Sequence, residues 1–568
     1  MPRELPQLCI EAAKKSMLQS QGVFWEKKSP GKTAAWGAQY AALGYRELED
    51  LTEAQPPVFF PNQQGARFIK TEKDAHGIYL LLDLKQEQSG LLKLEAQLPE
   101  GTKVLIGFGE HLTDLRVRTW IDGRNFCASY IAGQGRNTFV HWFQRLSGRY
   151  LQLYIYADEA KLYDVSLLPV QYPVNGAPAF HCADRLHNRI YQISKDTLQN
   201  CMHEHYEDCP WREQALYAMD GRIEMLCGYY AFGAYDYARE NLRLLALSQR
   251  EDGLLELSAP GKENITIPSF SLAFVQALAD YLLFSGDFDF TKQVLPTAQK
   301  IVDSVWAKKA GNGLIPNYIQ PRYWNFYEWQ KGLDGGVIHR NEPIEKTFDA
   351  PLNAFLSLAL HSLANIYGWM GQTDLRDACL SRQARLNEAM EQFYVKEKGV
   401  YASYLKDGER FHFAELTQAL CLLCGACPKE KREALMKTLL NNSLYPVTLG
   451  LRIFKYEALL CCGGEKYGGA VFDEIAEQWG EMLFSGATSF WETKEGEAAF
   501  HRAGSLCHGW AAVPIYFYFA YGLGVKPVKP GFSSYEYQPV EAGLGKIEAV
   551  MQTPNGQIRG KDGVVIKT

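Results

Sequence analysis

Four carboxylates crowd into EDCPWREQALYAMDGR, residues 207–222, which runs directly into the apolar stretch IEMLCGYYAFGAY. A solvated helix face does not need Trp211, and a core helix does not need the acids. If a helix begins near Pro210, four side chains follow one face of it. These side chains are Glu213, Tyr217, Asp220 and Glu224. The pattern therefore predicts an acidic stripe on an otherwise buried helix.

Two interpretations of this stripe stay open from spacing alone. Acids inside a protein are costly unless they are paired or used. Arg212 and Arg222 could simply neutralise them, which would make the cluster structural. Alternatively, the stripe lines a cleft and takes part in chemistry there.

A second candidate carboxylate lies far along the chain, in SGATSFWETKEG, residues 485–496. Glu492 follows Trp491 and precedes a predicted helix that carries SLCHGW, residues 505–510. A glutamate in a loop is most often only solvated. If the helices close into a ring, however, the first and last hairpins are neighbours, and Glu492 then faces the same cleft as Glu213.

Two carboxylates across one cleft are what glycoside hydrolysis requires. One is kept protonated by a poorly solvated site and donates its proton to the leaving oxygen. The other stays ionised and activates water. In an inverting enzyme the two groups stand roughly 6.5–9.5 Å apart, so that the water fits between the base and the sugar.

The elements that must position these residues are predicted from composition and periodicity. The chain has 568 residues, 47% hydrophobic and 22% charged, which is typical of a globular protein with more than one domain. Its formal charge of −6 and the lack of a long basic run argue against a nucleic-acid partner. The aromatic share of 13% fits either a large core or a sugar cleft.

Residues 56–178 are predicted to form an antiparallel β-sandwich, because short runs of period-two alternation are separated by turn residues. Residues 1–55 have no clear pattern. The tail, residues 527–568, is predicted to be a short C-terminal β segment, because PNGQ and KDGV are typical of hairpin turns. It either packs on the neighbouring domain or completes the sandwich.

Residues 179–526 show helical periodicity and short loops, which predicts six antiparallel hairpins closed into an (α/α)6 barrel. The predicted helices are 184–203, 211–230, 232–249, 268–286, 289–308, 349–371, 375–396, 413–426, 429–441, 450–462, 466–483 and 504–521. Two connections, 250–267 and 309–348, are long, and loops of such length are usually functional. The second contains the aromatic segment LIPNYIQPRYWNFYEWQKG, residues 314–332.

The 13 cysteines form no disulfide framework in this reading, and no secretory signal or membrane span is found, which predicts a cytoplasmic protein. CLLCGACP, residues 421–428, imitates an iron–sulfur run but lacks the fourth cysteine at the expected spacing. The histidines show no metal-ligand spacing. We therefore expect no metal and no cofactor, and a small-molecule partner rather than a nucleic acid or a membrane. A homo-oligomer remains an open option.

DCPWRE followed by Asp220, and SGATSFWE followed by SLCHGW, resemble the two catalytic blocks of the α-L-rhamnosidases of glycoside hydrolase family 78. The order of sandwich, (α/α)6 barrel and short β tail is also similar to that family. The resemblance implies an inverting exo-hydrolase that releases terminal L-rhamnose from small glycosides or oligosaccharides. It implies that Glu213 is the general acid and Glu492 the general base. The substrate-binding residues it implies are Asp208, Arg212, Asp220, Trp324, Glu328, Trp329, Trp491 and His508, to which the apolar surface expected for a deoxy sugar adds Tyr217.

The sequence departs from the family pattern in three places. One residue fewer separates DCP from the final aspartate, Tyr217 stands where a tryptophan is usual, and Met219 replaces a glycine. These changes concern the shape of the sugar subsite, so an (α/α)6-barrel glycosidase for another sugar is the first alternative. A non-catalytic carbohydrate-binding protein is the second. A sugar epimerase, which would use histidines as acid and base, is the third, and His508 is the one histidine we place in the cleft.

Overall fold

The computed structural model describes residues 4–26, 46–47, 58–113, 115–336, 344–441, 443–561 and 564–567. The N-terminal strands are β1 Cys9–Ile10, β2 Ser16–Phe24, β3 Arg46–Glu47, β4 Phe59–Phe60, β5 Ala66–Ile69, β6 Gly77–Gln97, β7 Lys103–Gly109, β8 Trp120–Ile121, β9 Arg124–Asn125, β10 Cys127–Ile131, β11 Arg136–Ile155, β12 Glu159–Gln171 and β13 Ala179–Cys182.

Two long strands build both layers of the sandwich. The first part of β6, residues 77–83, pairs with β2, and the last part, residues 90–97, pairs with β12. β11 runs antiparallel to β6 along both parts, with register breaks between them. Alternate side chains point inward, as the period of a strand requires. The inward-pointing side chains from both parts of β6 lie in one apolar cluster, which includes Leu80, Leu82, Leu92 and Leu94. The predicted sandwich is confirmed.

Part of the N-terminal segment belongs to this sheet. β1 pairs with β12, and β2 pairs with β6. Periodicity did not reveal these strands within residues 1–55, because β1 has only two residues and polar stretches follow both strands. Residues 1–3, 27–45 and 48–57 lie outside the described part of the chain.

Helices dominate the next domain. They are α1 Arg185–Asn200, α2 Ala218–Phe232, α3 Tyr235–Leu247, α4 Pro268–Ser285, α5 Phe288–Trp306, α6 Ala350–Trp369, α7 Thr373–Ala389, α8 Glu415–Leu423, α9 Lys429–Thr438, α10 Arg452–Gly463, α11 Gly468–Phe484 and α12 Pro514–Phe517, which a π turn continues to Gly522. Short hairpin strands lie between them: β14 Phe348–Asp349, β15 Tyr394–Val395, β16 Val400–Tyr401, β17 Tyr404–Lys406 and β18 Glu409–Phe411.

The even-numbered helices form an inner ring. Along the chain α2 contacts α4, α4 contacts α6, α6 contacts α8, and α8 contacts α10. α12 packs against α10 through Tyr456 and Phe517 and also contacts α2, which closes the ring. Inner helices are apolar on most sides, as in α4, whereas the outer helix α7 buries only Cys379 and Leu386. The predicted (α/α)6 barrel is therefore confirmed.

The C-terminal strands are β19 Val525–Lys529, β20 Ser534–Tyr537, β21 Ile547–Thr553, β22 Gly556–Lys561 and β23 Val564–Lys567. The last three continue a four-stranded sheet that begins with β13, the strand that directly precedes α1 in the chain. The Tyr235 hydroxyl of α3 donates to the Gln552 carbonyl at 3.0 Å. Of the two options that the sequence left open, the tail thus packs on the barrel rather than on the large sandwich. In the described ranges, no helix has the length and apolar character needed to cross a bilayer.

Candidate active site

Residues 208–215 form a closed loop in front of α2. The Asp208 amide donates to the Ala215 carbonyl at 2.9 Å, and the Ala215 amide donates to Asp208 Oδ1 at 3.0 Å. An aspartate side chain that bonds to nearby backbone competes with helix formation. The helix predicted to start at residue 211 starts at Ala218 instead, and the prediction that Glu213 lies on a helix face is wrong.

A tryptophan and a tight turn fix this loop. Trp211 is buried and stacks on Phe126 of the sandwich, with ring centroids 4.4 Å apart. Gln214 adopts a left-handed φ of 53°, and its side-chain amide donates to the Pro210 carbonyl at 2.7 Å. Strained residues persist where the surroundings determine them. Glu213 is thus presented from a rigid turn between the two domains.

The 208–215 loop opens onto a cavity whose empty space, including the part open to solvent, is about 460 Å³. Its walls combine acids with aromatic and aliphatic side chains, which is typical of small-ligand sites. The lining residues are Asp208, Glu213, Tyr217, Asp220, Ile267, Phe270, Trp324, Phe326, Trp329, Glu492, His508 and Trp510. Ring closure thus brings Glu213 and Glu492 to one cavity, as the sequence predicted.

Arg212 bridges these two carboxylates. Its Nη2 donates to Glu492 Oε2 at 2.9 Å, and its Nε lies 3.4 Å from Glu213 Oε1. Its Nη1 donates to the Ala503 carbonyl at 2.6 Å, which fixes the plane of the guanidinium. Because both nitrogens belong to one planar group, the two bridged oxygens lie no more than about 9 Å apart.

The two bridged acids differ in exposure. The Glu213 side chain is 29% exposed at the mouth of the cavity, whereas Glu492 is 3% exposed. The Tyr217 hydroxyl donates to Glu213 Oε2 at 3.1 Å, and Arg124 of the sandwich lies 3.5 Å from Oε1. Burial raises the pKa of Glu492, and the charge of Arg212 opposes that rise. One acid therefore meets solvent while the other is enclosed.

Two further acids and a histidine form the inner wall. His508 Nε2 lies 3.9 Å from Asp208 Oδ2 and 4.0 Å from both Asp220 Oδ1 and Glu492 Oε1. Burial, with a contribution from Arg212, lowers the pKa of His508 well below its usual value. Burial raises the pKa of Asp220 to about 8. Among the described residues none donates a hydrogen bond to Asp208 Oδ2, so this oxygen can accept a bond from a ligand hydroxyl.

Aromatic rings close the opposite side. Trp324 and Trp329 stand edge to face at 5.8 Å, with Phe326 packed against both. The Trp324 indole N–H donates to the Asp334 carbonyl at 2.7 Å, which fixes the orientation of the ring. Phe500, from the segment that follows Glu492, meets Trp329 at 4.5 Å. The long connection after α5 thus supplies the aromatic wall that the sequence predicted for it.

Two predicted site residues lie elsewhere. Glu328 is buried behind the aromatic wall, where its Oε2 accepts bonds from the Thr448 amide at 2.8 Å and the Thr448 hydroxyl at 3.1 Å. Trp491 packs against Gly496 and lines a second cavity, between the sandwich and the barrel. Consecutive side chains of a non-helical segment point to different sides, so Trp491 turns away where Glu492 turns in.

Four lining residues were missed by sequence reasoning: Ile267, Phe270, Phe326 and Trp510. Phe326 could have been found, because it alternates with Trp324 in an extended run. Ile267 and Phe270 enter because Thr266 pairs with Tyr323 and joins the start of α4 to the aromatic segment. Nothing in the local sequence indicates that long-range pairing. Among the residues that the structure describes, no cluster of three or more His, Cys, Asp or Glu could hold a metal ion.

An (α/α)6 barrel behind a β-sandwich, with paired acids in a cavity walled by aromatics, defines a six-hairpin glycosidase type of protein. Comparison with protein families agrees. Residues 176–521 match the bacterial alpha-L-rhamnosidase six-hairpin glycosidase domain, and residues 73–170 match the bacterial alpha-L-rhamnosidase concanavalin-like domain. The chain belongs to the bacterial α-L-rhamnosidase family, and the resemblance to glycoside hydrolase family 78 is confirmed.

Individual relatives are distant. An alpha-L-rhamnosidase of Formosa agariphila is 22% identical over 302 residues, which are 50% of this chain and 31% of that protein. The family 78 rhamnosidase of Bacillus sp. GL1 has 24% identity and a TM-score of 0.82, covering 93% of this chain and 55% of that one. A Klebsiella oxytoca rhamnosidase, with rhamnose bound, has 19% identity and a TM-score of 0.69, covering 90% and 99%. This chain therefore spans about a third of the Formosa protein and just over half of the Bacillus protein.

Proposed function

We propose that the protein is an inverting exo-glycoside hydrolase that releases terminal α-L-rhamnose from small glycosides or oligosaccharides. The observation that carries the proposal is the pair Glu213 and Glu492, bridged by one guanidinium in one cavity. The upper limit of about 9 Å on the distance between their bridged oxygens allows the spacing of roughly 6.5–9.5 Å that leaves room for a water molecule.

The direction of the reaction in this proposal rests on where the two acids lie and not on their solvation, since burial alone favours the protonated form of Glu492 and the charge of Arg212 must keep that group ionised. Glu213 stands at the mouth, so it is the acid that donates a proton to the glycosidic oxygen as the bond from C1 to that oxygen breaks. Glu492 lies inside and takes a proton from a water whose oxygen bonds to C1 from the other face. Its pKa, raised by burial, makes it a better base. The closed inner end then holds a terminal sugar, and the leaving group points to solvent.

The cavity walls suit a 6-deoxy sugar. Its methyl group needs an apolar contact, which Ile267, Phe270 and Phe326 offer. Its hydroxyls need polar partners, which the inner wall offers through the free Oδ2 of Asp208 and through Asp220. Substrate binding by Asp208, Arg212, Asp220 and His508 is part of this proposal. Since neither Glu328 nor Trp491 lines the cavity, the proposal does not include them as sugar ligands.

We place this activity in a reducing compartment, in line with the expected cytoplasmic location. All 13 cysteines are free, and most of them are buried. Structural disulfides are rare where thiols are kept reduced.

A panel of aryl glycosides with NMR detection tests the proposal. The α-L-rhamnoside should be cleaved best, and the β-anomer should be the first sugar released. Glu492→Gln should lose most activity on every substrate. Glu213→Gln should lose it on poor leaving groups and keep much of it on an aryl group that departs without a proton. Glu495→Gln, an exposed neighbour, serves as control. Release of the α-anomer first, or hydrolysis of none of the glycosides, would contradict the proposal.

A further inference from the structure

Glu110 reaches from the β-sandwich into the segment that holds Glu492. It directly follows β7 and is buried. Its Oε1 lies 3.0 Å from Ser505 Oγ, and its Oε2 accepts a bond from the Leu506 amide at 2.5 Å. Within the described residues it has no ion-pair partner within 4.0 Å. This carboxyl group therefore depends on hydrogen bonds alone.

Ser505 connects Glu110 to the candidate general base. The Glu492 amide donates to the Ser505 carbonyl at 3.0 Å, and the Ser505 amide lies 3.4 Å from Glu492 Oε2. The same carboxyl oxygen accepts the bond from Arg212. Ser505 is thus the single residue between Glu110 of the sandwich and Glu492. The Ser505 backbone, which Glu110 helps to hold in place, makes the hydrogen bonds that orient Glu492.

A count of hydrogens favours the neutral form of Glu110. Ser505 Oγ has three neighbours: Glu110 Oε1, the Cys507 carbonyl at 3.0 Å and the Cys507 amide at 3.2 Å. The amide can only donate and the carbonyl can only accept, while a hydroxyl has one proton and two lone pairs. If Glu110 is ionised, one acceptor goes without a proton. If Oε1 carries a proton, Glu110 donates to Ser505, Ser505 donates to Cys507, and every bond is made.

The surroundings of Glu110 agree with that count. Burial, and then the charge of Glu87, raise the pKa of Glu110 well above its usual value. Glu87 and Glu110 both line the second cavity, between the two domains. The charge of Arg212 opposes this rise, but among the described residues no cation is close enough to form an ion pair with Glu110, and a buried acid without an ion-pair partner is more stable in its neutral form.

We propose that Glu110 acts as a neutral carboxylic acid and is a positioning residue for Glu492, acting through Ser505 and the Leu506 backbone. The inference rests on the proposed function for the role of Glu492. It assigns to the sandwich a part in the reaction, although Glu110 itself touches no substrate.

Two substitutions of similar size test the proposal. Glu110→Gln can donate through its amide to Ser505 and accept from Leu506, so kcat on an aryl α-L-rhamnoside should stay within about threefold. Glu110→Met keeps the packing and removes both bonds. Its kcat should fall by about 10- to 100-fold, with KM changed much less, because a small misplacement of a catalytic group is costly. If Glu110→Met does not fold, Ser505→Ala removes the connecting hydroxyl and should give a smaller fall.

A double-substitution cycle separates positioning from a general loss of structure. In a Glu492→Gln background, Glu110→Met should reduce the residual rate little further, since its effect passes through the base. If the double variant instead loses rate by the product of the two single-variant factors, the proposal is overturned. A Glu110→Gln variant whose kcat falls as far as that of Glu110→Met would overturn it as well. If the wild-type protein hydrolyses no rhamnoside, the proposed function fails. Infrared spectroscopy still tests whether Glu110 is neutral. The carbonyl band of a protonated carboxyl group should be lost in Glu110→Gln, and an unchanged band would refute the neutral form of Glu110.

Discussion

Asp220 should make the protein less stable as pH rises, and Asp220→Asn should remove that penalty. The side chain lies in the first turn of α2, buried in the cavity wall beside His508. Burial raises the pKa of Asp220 from 3.8 to about 8 in the folded state, and nearby Glu492 and Glu213 add to the rise. The folded protein therefore holds a proton that the unfolded chain releases near pH 4.

The sign and size follow from proton linkage. Since the folded pKa is the higher one, the contribution of Asp220 to stability is complete below about pH 4 and is lost as pH rises to about 8. Each pKa unit corresponds to about 1.4 kcal/mol, so the loss amounts to roughly 6 kcal/mol. An asparagine does not titrate. Relative to the wild type, Asp220→Asn should gain up to that free energy of unfolding between these two pH values.

Urea unfolding followed by tryptophan fluorescence, repeated across this pH range, measures the difference. The control is Asp289→Asn, which replaces an aspartate whose side chain is 91% exposed. A difference between wild type and Asp220→Asn that stays constant, or that falls as pH rises, would show that Asp220 is ionised in the folded protein. The assignment of a neutral acid to the inner wall would then be incorrect.

Three further outcomes follow from the contacts of the site. Arg212→Lys should lower kcat by about 100-fold, because a lysine lacks the planar guanidinium that bonds Glu492; a kcat close to that of the wild type would contradict this. Glu328→Ala should raise KM by loosening the aromatic wall, whereas Glu328→Gln, which can still accept from Thr448, should not; equal effects on KM would exclude this anchoring role. Trp211→Ala should lose about 3–5 kcal/mol of stability, seen as a lower melting temperature, and an unchanged melting temperature would show that the stack on the sandwich contributes little.

Periodicity predicted the architecture because burial governs it. The inner helices must be apolar on most sides and the outer ones on a single stripe, and short loops force neighbours to be antiparallel. The same reasoning predicted from the sequence that Glu213 and Glu492 face one cleft, since a closed ring makes the first and last hairpins adjacent. These features depend on the average character of many residues, so single exceptions do not disturb them.

Local direction was harder to predict, because single hydrogen bonds decide it. The bond from the Ala215 amide to Asp208 turned a predicted first helical turn into a loop. The bonds from Thr448 hold Glu328 behind the wall, whereas the resemblance to the family implied that Glu328 binds the substrate. Each depends on a partner whose position the nearby sequence does not reveal.

The largest omission of the sequence reading concerns the sandwich, which was treated as a separate domain. It contacts both segments that carry the candidate catalytic acids. Arg145 pairs with buried Glu207 beside the 208–215 loop, and Phe126 supports the tryptophan within it. On the other segment, Arg118 donates to the Arg502 carbonyl at 2.9 Å.

These contacts give the order of the domains a physical reason. A barrel can bring two distant hairpins to one end, but the segments that carry the two acids there lie outside its helices. Groups that must be held to within a fraction of an ångström need support from a rigid element. The sandwich is that element, because its strands are paired along their length and present fixed side chains to both loops. The site therefore depends on the contact between the two domains. The sandwich, which lies outside the ring of helices, helps to fix the distance between Glu213 and Glu492.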